Sequence, residues 1–271
     1  MAIPSRYYRN QPPPTYLYLD EIVNILGDTK RAFYPFLTAF GTAVFPYGAG
    51  NGGIVGLPND AALEAEYDPI ALVGGVQAYY FDSAADNHIG FSDDAVYSHG
   101  DGSTDTPFSL GAWIYMTEAL GSVRAVLAKY GVTTGQEEYE FRVDASGNLE
   151  LALQDLSASA TETGVGSGDV IVPWTWNFVV ATYDGAQAAP DIHLYRNASD
   201  TLAAGITTET GSYTAMEDGT APFMIGARNT LAAPEREFEG WIWGPFITGK
   251  ELTQANVSGL YTIGQELIGL A

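Results

Sequence analysis

From about residue 32 the chain breaks into short apolar runs, each closed by a turn signal. The runs are Phe33–Phe36, Gln77–Phe81, Phe108–Met116, Val123–Ala128, Tyr139–Val143, Leu149–Leu153, Phe178–Tyr183, Ile192–Arg196, Phe223–Ile225 and Glu237–Trp243. They are rich in aromatic and β-branched residues, which predicts strands. Glycine-rich or Asp/Asn/Gly segments at 48–53, 144–148, 183–185 and 218–219 supply the turns. Many short strands with almost no helix predict an all-β sandwich of two facing antiparallel sheets. The exception is Leu252–Tyr261, where Thr253 is a cap and Leu252, Val257, Leu260 and Tyr261 give a helix its apolar side.

Residues 1–31 follow a different pattern. Arg6, Tyr7, Tyr8 and Arg9, the prolines Pro12–Pro14, then Tyr16 and Tyr18 predict an extended arm. Asp20 is placed to cap a short helix with Leu19, Ile22, Val23 and Leu26 on one side, and Gly27 to end it. Such an arm and helix need a surface to lie on. Tyr and Arg are favoured at interfaces, so Arg6, Tyr7, Tyr8, Arg9, Tyr16, Tyr18, Ile22 and Leu26 are expected to anchor a partner chain. The expected organisation is an anchoring arm over 1–31 and one β domain over 32–271.

Composition narrows the function classes. Hydrophobic residues make up 46% of the 271, so a sizeable core is affordable. No cysteine is present, which excludes disulfides, thiolate metal sites and a cysteine nucleophile. Lys and Arg total 11 against 33 Asp and Glu, a net charge of −22. An acidic surface repels nucleic acid and anionic membranes. The charge is uneven, because residues 1–31 sum to +1 and the remainder to −23. The N-terminal segment has no apolar run after its charges, and no run reaches the roughly 18 apolar residues of a membrane span. The expectation is a chain made in a host cytoplasm without a signal peptide and without membrane insertion.

At this point the runs resemble a family. Phe81-Asp82-Ser83 with Asp86 and Ile89 resembles the F-D-G-x-x-D-x-hydrophobic strand of laminin G-like, concanavalin A-like domains, with Ser83 where glycine is usual. Phe108 to Trp113 resembles its F-x-x-x-x-W strand, and Leu127-Ala128-Lys129 its L-x-K edge. Trp176 to Gly185 resembles the W…T-Y-D-G strand and turn, and Ile192 to Asn197 the I-x-L-Y-x-N strand. Phe223 to Gly226 resembles L-x-I-G, Phe238 to Ile242 resembles F-x-G-x-I, and Leu252 to Tyr261 the closing helix. Phe33 to Phe36 with the 50–53 glycine turn resembles the opening. The resemblance implies a two-sheet antiparallel jelly roll whose first and last strands pair. Its members are mostly adhesion or carbohydrate-recognition modules, some with calcium. Glycoside hydrolases share the fold, and such domains occur in phage decoration and tail proteins.

The stretch Glu235–Gly244, EREFEGWIWG, carries the sharpest chemistry. As one strand it would set Glu235, Glu237 and Glu239 on one face, continued by Trp241 and Trp243. A retaining glycosidase needs two carboxyls roughly 5–5.5 Å apart, which such a row can supply. The sandwich glucanases, however, use a mixed E-x-D-x-E strand in mid-chain, whereas this row is on the closing strand. No catalytic residue is therefore assigned. Trp174, Trp241 and Trp243 are candidates for stacking sugar rings. For calcium, Asp82 and Asp86 match the family positions near which oxygen-rich sites are built. Where many relatives carry two aspartates after F-x-G-x-I, this chain has Trp243 and Gly244.

The leading expectation is a non-enzymatic structural protein of a phage particle. It would decorate the head or belong to the tail, occur in many copies or as a homo-oligomer, and attach to other virion proteins through residues 1–31. Its lectin-like jelly roll would face outward and could bind host-surface carbohydrate. The alternatives are a stand-alone carbohydrate-binding or adhesion module, and a glycoside hydrolase.

Overall fold

The computed structural model describes residues 15–27, 30–36, 46–47, 57–58, 77–132, 135–168, 170–186, 192–202, 206–230 and 233–270. Two antiparallel sheets face each other. The seven-stranded sheet contains β1 (Arg31–Phe33), β3 (Tyr79–Phe81), β5 (Phe108–Met116), β10 (Asn177–Tyr183), β11 (Ile192–Arg196), β12 (Ser199–Asp200) and β17 (Gly240–Thr248). Its order is β1-β17-β5-β10-β11-β12, with β3 also paired to β17. The eight-stranded sheet contains β2 (Leu57–Pro58), β4 (Ile89–Phe91), β6 (Arg124–Gly131), β7 (Gln136–Val143), β8 (Leu149–Asp155), β9 (Ala160–Val165), β13 (Ile206–Thr210) and β14 (Phe223–Ile225). A separate hairpin, β15 (Arg228–Thr230) with β16 (Ala233–Glu235), lies beside β6. The first and last strands pair, with Ala32 opposite Ile247. This is the jelly-roll sandwich that the sequence implied.

Alternation along the strands builds the core between the sheets. Leu110, Ala112 and Ile114 of β5 face Tyr139, Phe141 and Val143 of β7 and Leu149, Leu151 and Leu153 of β8, all buried in one cluster. Each Leu, Ile, Val or Phe among them contributes about 1.5–3 kcal/mol by leaving water. The intervening residues point outward, and the two sheets treat them differently. On the seven-stranded sheet they are covered by α1 (Thr15–Leu26) and α2 (Gln254–Ile268). On the eight-stranded sheet they are largely polar, as with Glu140, Arg142, Glu150 and Gln154.

Helix α1 alters the expected division of the chain. It starts at Thr15, so Tyr16 and Tyr18 belong to the helix and not to an extended arm. Asp20 lies inside the helix and accepts a hydrogen bond from the Tyr47 hydroxyl at 2.9 Å, so it is not the cap. Gly27 ends the helix as expected, at φ +83° with its N–H donating to Val23 O. Leu19, Ile22 and Leu26 are 1%, 5% and 0% exposed, in a cluster with Leu260, Ile263 and Leu267 of α2. Ile22 and Leu26 are therefore covered by the chain's own second helix, which removes them as anchors for a partner. The apolar stripe of Leu19, Ile22, Val23 and Leu26, at i, i+3, i+4 and i+7, is present with Val23 partly buried, and its covering surface is intramolecular. Tyr18 packs partly buried against the same cluster. Arg6, Tyr7, Tyr8 and Arg9 lie outside the described residues, as does the side chain of Tyr16.

Helix α2 is longer than its sequence signal, because Ile263, Leu267 and Ile268 extend the apolar side past Tyr261. Thr253 caps it in a reciprocal box with Asn256. The sequence pattern does not predict strands β9 and β13. ATETGV and ITTET are threonine-rich and carry few large apolar residues, so periodicity alone did not mark them.

Candidate functional site

The registers of β3, β17 and β5 set Tyr80 opposite Trp241 and Trp241 opposite Tyr115. Cross-strand partners share a face, so their rings form a row on the outer side of the seven-stranded sheet. Ring centroids are 4.7 Å apart for Tyr80 and Trp241, and 5.5 Å for Tyr115 and Trp241. Trp176 extends the row, edge-on to Tyr115 at 5.6 Å. All four residues are partly buried.

One pleat along the strands runs a second aromatic row. Trp243 is opposite Trp113, and Trp113 opposite Phe178. These three are 1%, 2% and 3% exposed. Tyr261 of α2 stacks on Trp113 at 5.5 Å, and Gly264 comes so close that a Cβ there would collide with Trp113 Nε1. Trp243 Nε1 donates to Pro35 O at 3.1 Å. Trp243 is thus a core residue beneath the helices, which corrects its reading as a sugar-stacking ring.

On the other side of the first row the surface turns polar. Glu239, two residues before Trp241, accepts hydrogen bonds from the Tyr80 hydroxyl at 2.6 Å, from Ser83 N–H at 2.9 Å and from the Ser83 hydroxyl at 2.7 Å. Partial burial pulls its carboxyl upward. Those hydrogen bonds and the Arg124 charge outweigh this, and the group lies below the usual carboxylate range. The Tyr80 hydroxyl is correspondingly raised, by burial first and then by its bond to Glu239. Trp174 stands at the same end of β5, its N–H donating to Met116 O at 2.8 Å. It is 56% exposed and held at φ +56°, a conformation unusual for a bulky residue. Trp241 Nε1 is buried and has no hydrogen-bond partner among the described residues. The surface therefore grades from covered aromatics, through a partly open aromatic row, to a charged rim.

The E-x-E-x-E row does not exist as one strand face. Glu235 ends β16 and pairs with Arg228 at 2.9 Å. Arg236 at φ +55° breaks the chain there, and β17 begins only at Gly240. Gly240 sits at φ +134°, where a Cβ would collide with Tyr115 O. Asp82 caps a 3-10 turn, Ser83–Ala85, accepting from Ala84 N–H at 2.8 Å, and Asp86 closes that turn in the left-handed conformation. Both aspartates thus shape a turn. Among the described residues no three His, Asp or Glu side chains are grouped to hold a metal ion. The Asp101 loop is likewise an Asx turn, its carboxylate accepting from Ser103 and Thr104 N–H.

Of the predicted sugar-stacking residues, the structure keeps Trp241 and Trp174 at one end of the sheet and removes Trp243. It adds Tyr80, Tyr115 and Trp176. Tyr115 follows Trp113 by two, and Trp176 precedes Phe178 by two, so both continue a face already marked aromatic. Pairing the strands would have revealed the row.

The sequence model of the concanavalin A-like lectin/glucanases superfamily matches residues 86–258 of this chain, well over half of it. The chain belongs to that superfamily. Within the superfamily, this member resembles several solved binding domains in fold. The binding domain of botulinum neurotoxin DC, solved in complex with SialylT, is 13% identical with a TM-score of 0.59 over 88% of this chain. Botulinum neurotoxin type C, described as depending on two ganglioside molecules to enter cells, is 13% identical with a TM-score of 0.58 over 89%. The binding domain of Paraclostridial Mosquitocidal Protein 1 is 11% identical with a TM-score of 0.56 over 88%. This chain spans 52% of each of those three structures. No curated protein sequence matches it.

Proposed function

We propose that this superfamily member is a non-enzymatic, glycan-binding module that stacks sugar rings on the Tyr80–Trp241–Tyr115–Trp176 row. The observation that carries this reading is the position of Trp241. It stands between two tyrosines on a sheet face, beyond the cover that buries Trp243, and its indole Nε1 lacks a partner among the described residues. An apolar ring face beside a polar rim suits a sugar, which offers C–H groups on one side and hydroxyls around its edge. The SialylT and ganglioside ligands of the toxin neighbours support the ligand class. The acidic body and Glu239 at the rim argue for neutral sugars over sialylated ones, by charge repulsion. The absence of a shared carboxylate face on Glu235, Glu237 and Glu239 favours binding over glycoside hydrolysis.

The setting we propose is a phage particle, as a head-decoration or tail-associated protein present in many copies. Its support is the N-terminal composition. Residues 1–14 carry two arginines, two tyrosines, four prolines and no acid, against a strongly acidic body. The attachment segment is best set at 1–14, because residues 15–26 form a helix packed within the body. A glycan array probed with the purified protein, with and without calcium, tests the binding reading: neutral glycans should bind in both conditions, and an array without binders ends it. Removal of residues 1–14 should abolish attachment to the particle while leaving glycan binding intact. Attachment by the shortened chain rejects the anchoring role alone.

A further inference from the structure

The polar end of the aromatic row is organised around one carboxylate. Glu239 lies just before β17, and its backbone carbonyl accepts from Thr117 N–H at 3.1 Å, which ties it to the end of β5. Its Oε1 accepts from the hydroxyl of Tyr80, on β3, at 2.6 Å. Its Oε2 accepts twice from Ser83, through the N–H at 2.9 Å and the hydroxyl at 2.7 Å. The strands that supply Tyr80, Tyr115 and Trp241 thus meet at this side chain. Tyr80, Ser83 and Glu239 are all partly exposed, and the Tyr80 ring is 4.7 Å from that of Trp241 between centroids. The Tyr80 hydroxyl therefore borders the stacking surface.

The direction of each proton follows from the acceptor. Partial burial raises the Glu239 carboxyl, but its hydrogen bonds and Arg124 hold it below the ordinary range, so it is ionised at neutral pH. An ionised carboxylate accepts and has no proton to give. The Tyr80 and Ser83 hydroxyls must both donate to it, and each keeps only oxygen lone pairs for a ligand. Thr117 Oγ1 is 3.3 Å from the Tyr80 oxygen and 3.5 Å from Glu239 Oε1, so its proton also has acceptors within the group. The neighbouring cation is engaged in the same way. Arg124 donates through Nε and Nη2 to Glu118 and through Nη1 to Glu237 O. Trp241 Nε1 is buried. The rim beside the row consists of oxygens that accept and of N–H groups that already have partners.

We propose that Glu239 is a positioning residue that fixes the Tyr80 hydroxyl as an acceptor, so that the site selects a sugar by a hydroxyl that donates to Tyr80 Oη. The inference rests on the aromatic row as the sugar-binding surface and names how that surface chooses its ligand. Groups that only accept, such as a methyl ether, a fluorine or a carboxylate, find no donor there.

The test titrates the full-length protein, followed by NMR, with the methyl glycosides of D-glucose, D-galactose and D-mannose. Each is set beside its monodeoxy and monodeoxyfluoro analogues around the ring. Fluorine retains a weak acceptor and loses the donor. For a glycoside that binds, at least one position should lose about fivefold or more in affinity with fluorine, and as much with hydrogen. In Glu239→Gln one carboxyl oxygen becomes an NH2 group. The remaining oxygen suits the two Ser83 donors, so the NH2 faces Tyr80 Oη and releases the Tyr80 proton toward the ligand. The fluorine penalty at that position should then fall to about twofold or less. Tyr80→Phe, which keeps the ring, should remove the penalty as well. A purely structural role of Glu239 would weaken every analogue alike. Fluorinated analogues that all bind the parent as well as the unmodified glycoside overturn the proposal, even where Trp241→Ala shows the row to hold sugar. So does an unchanged penalty in folded Glu239→Gln or Tyr80→Phe. A parent that binds none of these glycosides also overturns it, whereas the glycan array and Trp241→Ala decide the row separately.

Discussion

Trp241 and Trp243 project from the same face of β17, and only Trp243 is buried beneath the two helices. Two residues of separation decide between a core side chain and an accessible one. Trp243→Ala should lower unfolding free energy by about 3–5 kcal/mol, the usual effect of emptying a large core site. Trp241→Ala should lower it by less than half as much. Urea unfolding of the two variants measures this, and equal losses would show that both rings are structural.

Helix α1 acts as part of the body. Leu26 is fully buried, the Thr248 hydroxyl donates to its carbonyl at 2.7 Å, and Lys250 donates to Ile25 O at 3.0 Å. Leu26→Ala should therefore destabilise the isolated protein by about 2–5 kcal/mol. A variant as stable as the parent in thermal unfolding would return the helix to a role in partner contact.

The sandwich itself was legible because its core strands alternate cleanly. The apolar runs Phe108–Met116 and Ile192–Arg196 coincide with the observed limits of β5 and β11. What escaped was set by pairing between distant segments. Tyr80 and Tyr115 become neighbours of Trp241 only through the β3–β17–β5 register, and no local pattern encodes that. The carboxylate row failed for a local reason, since Arg236 adopts a left-handed conformation that side-chain alternation does not foresee. The burial of Ile22 and Leu26 was missed because the helix that covers them lies at the other end of the chain.

Glu140 ties the β15–β16 hairpin to the eight-stranded sheet. Its Oε2 lies 2.6 Å from Arg142, 3.2 Å from Arg228 and 2.8 Å from Arg236, and its side chain is fully buried. Removing it takes from Arg236 its Glu140 partner and leaves Arg142 and Arg228 with Glu150 and Glu235 alone. Glu140→Leu should cost about 3–5 kcal/mol of stability. Glu235→Gln, at a more exposed partner of Arg228, should cost less than about 1 kcal/mol. Chemical denaturation of both variants checks the contrast.

Glu162 lies directly opposite Glu209 across β9 and β13. Burial first, then the Glu209 charge, push the Glu162 carboxyl up to about 7 from an ordinary 4.5. Between those values the folded protein holds a proton that the unfolded chain has released, so this group's contribution to stability falls as pH rises. His99 and His88, both lowered by burial, act in the opposite sense below their ordinary 6.5. The comparison with Glu162→Gln isolates the carboxyl. From pH 5 toward pH 8 the parent should lose stability relative to that variant, most of it by about pH 7. A pH-independent difference in melting temperature would contradict the assignment.

The central claim is that the open aromatic row holds sugar. Its most direct test is a calorimetric titration of the strongest neutral array glycan into the parent protein and into Trp241→Ala, with circular dichroism confirming an intact fold. The account predicts saturable binding by the parent and an affinity about tenfold or more weaker in the variant, as loss of one stacking ring implies. Equal affinity in the two folded proteins would contradict it.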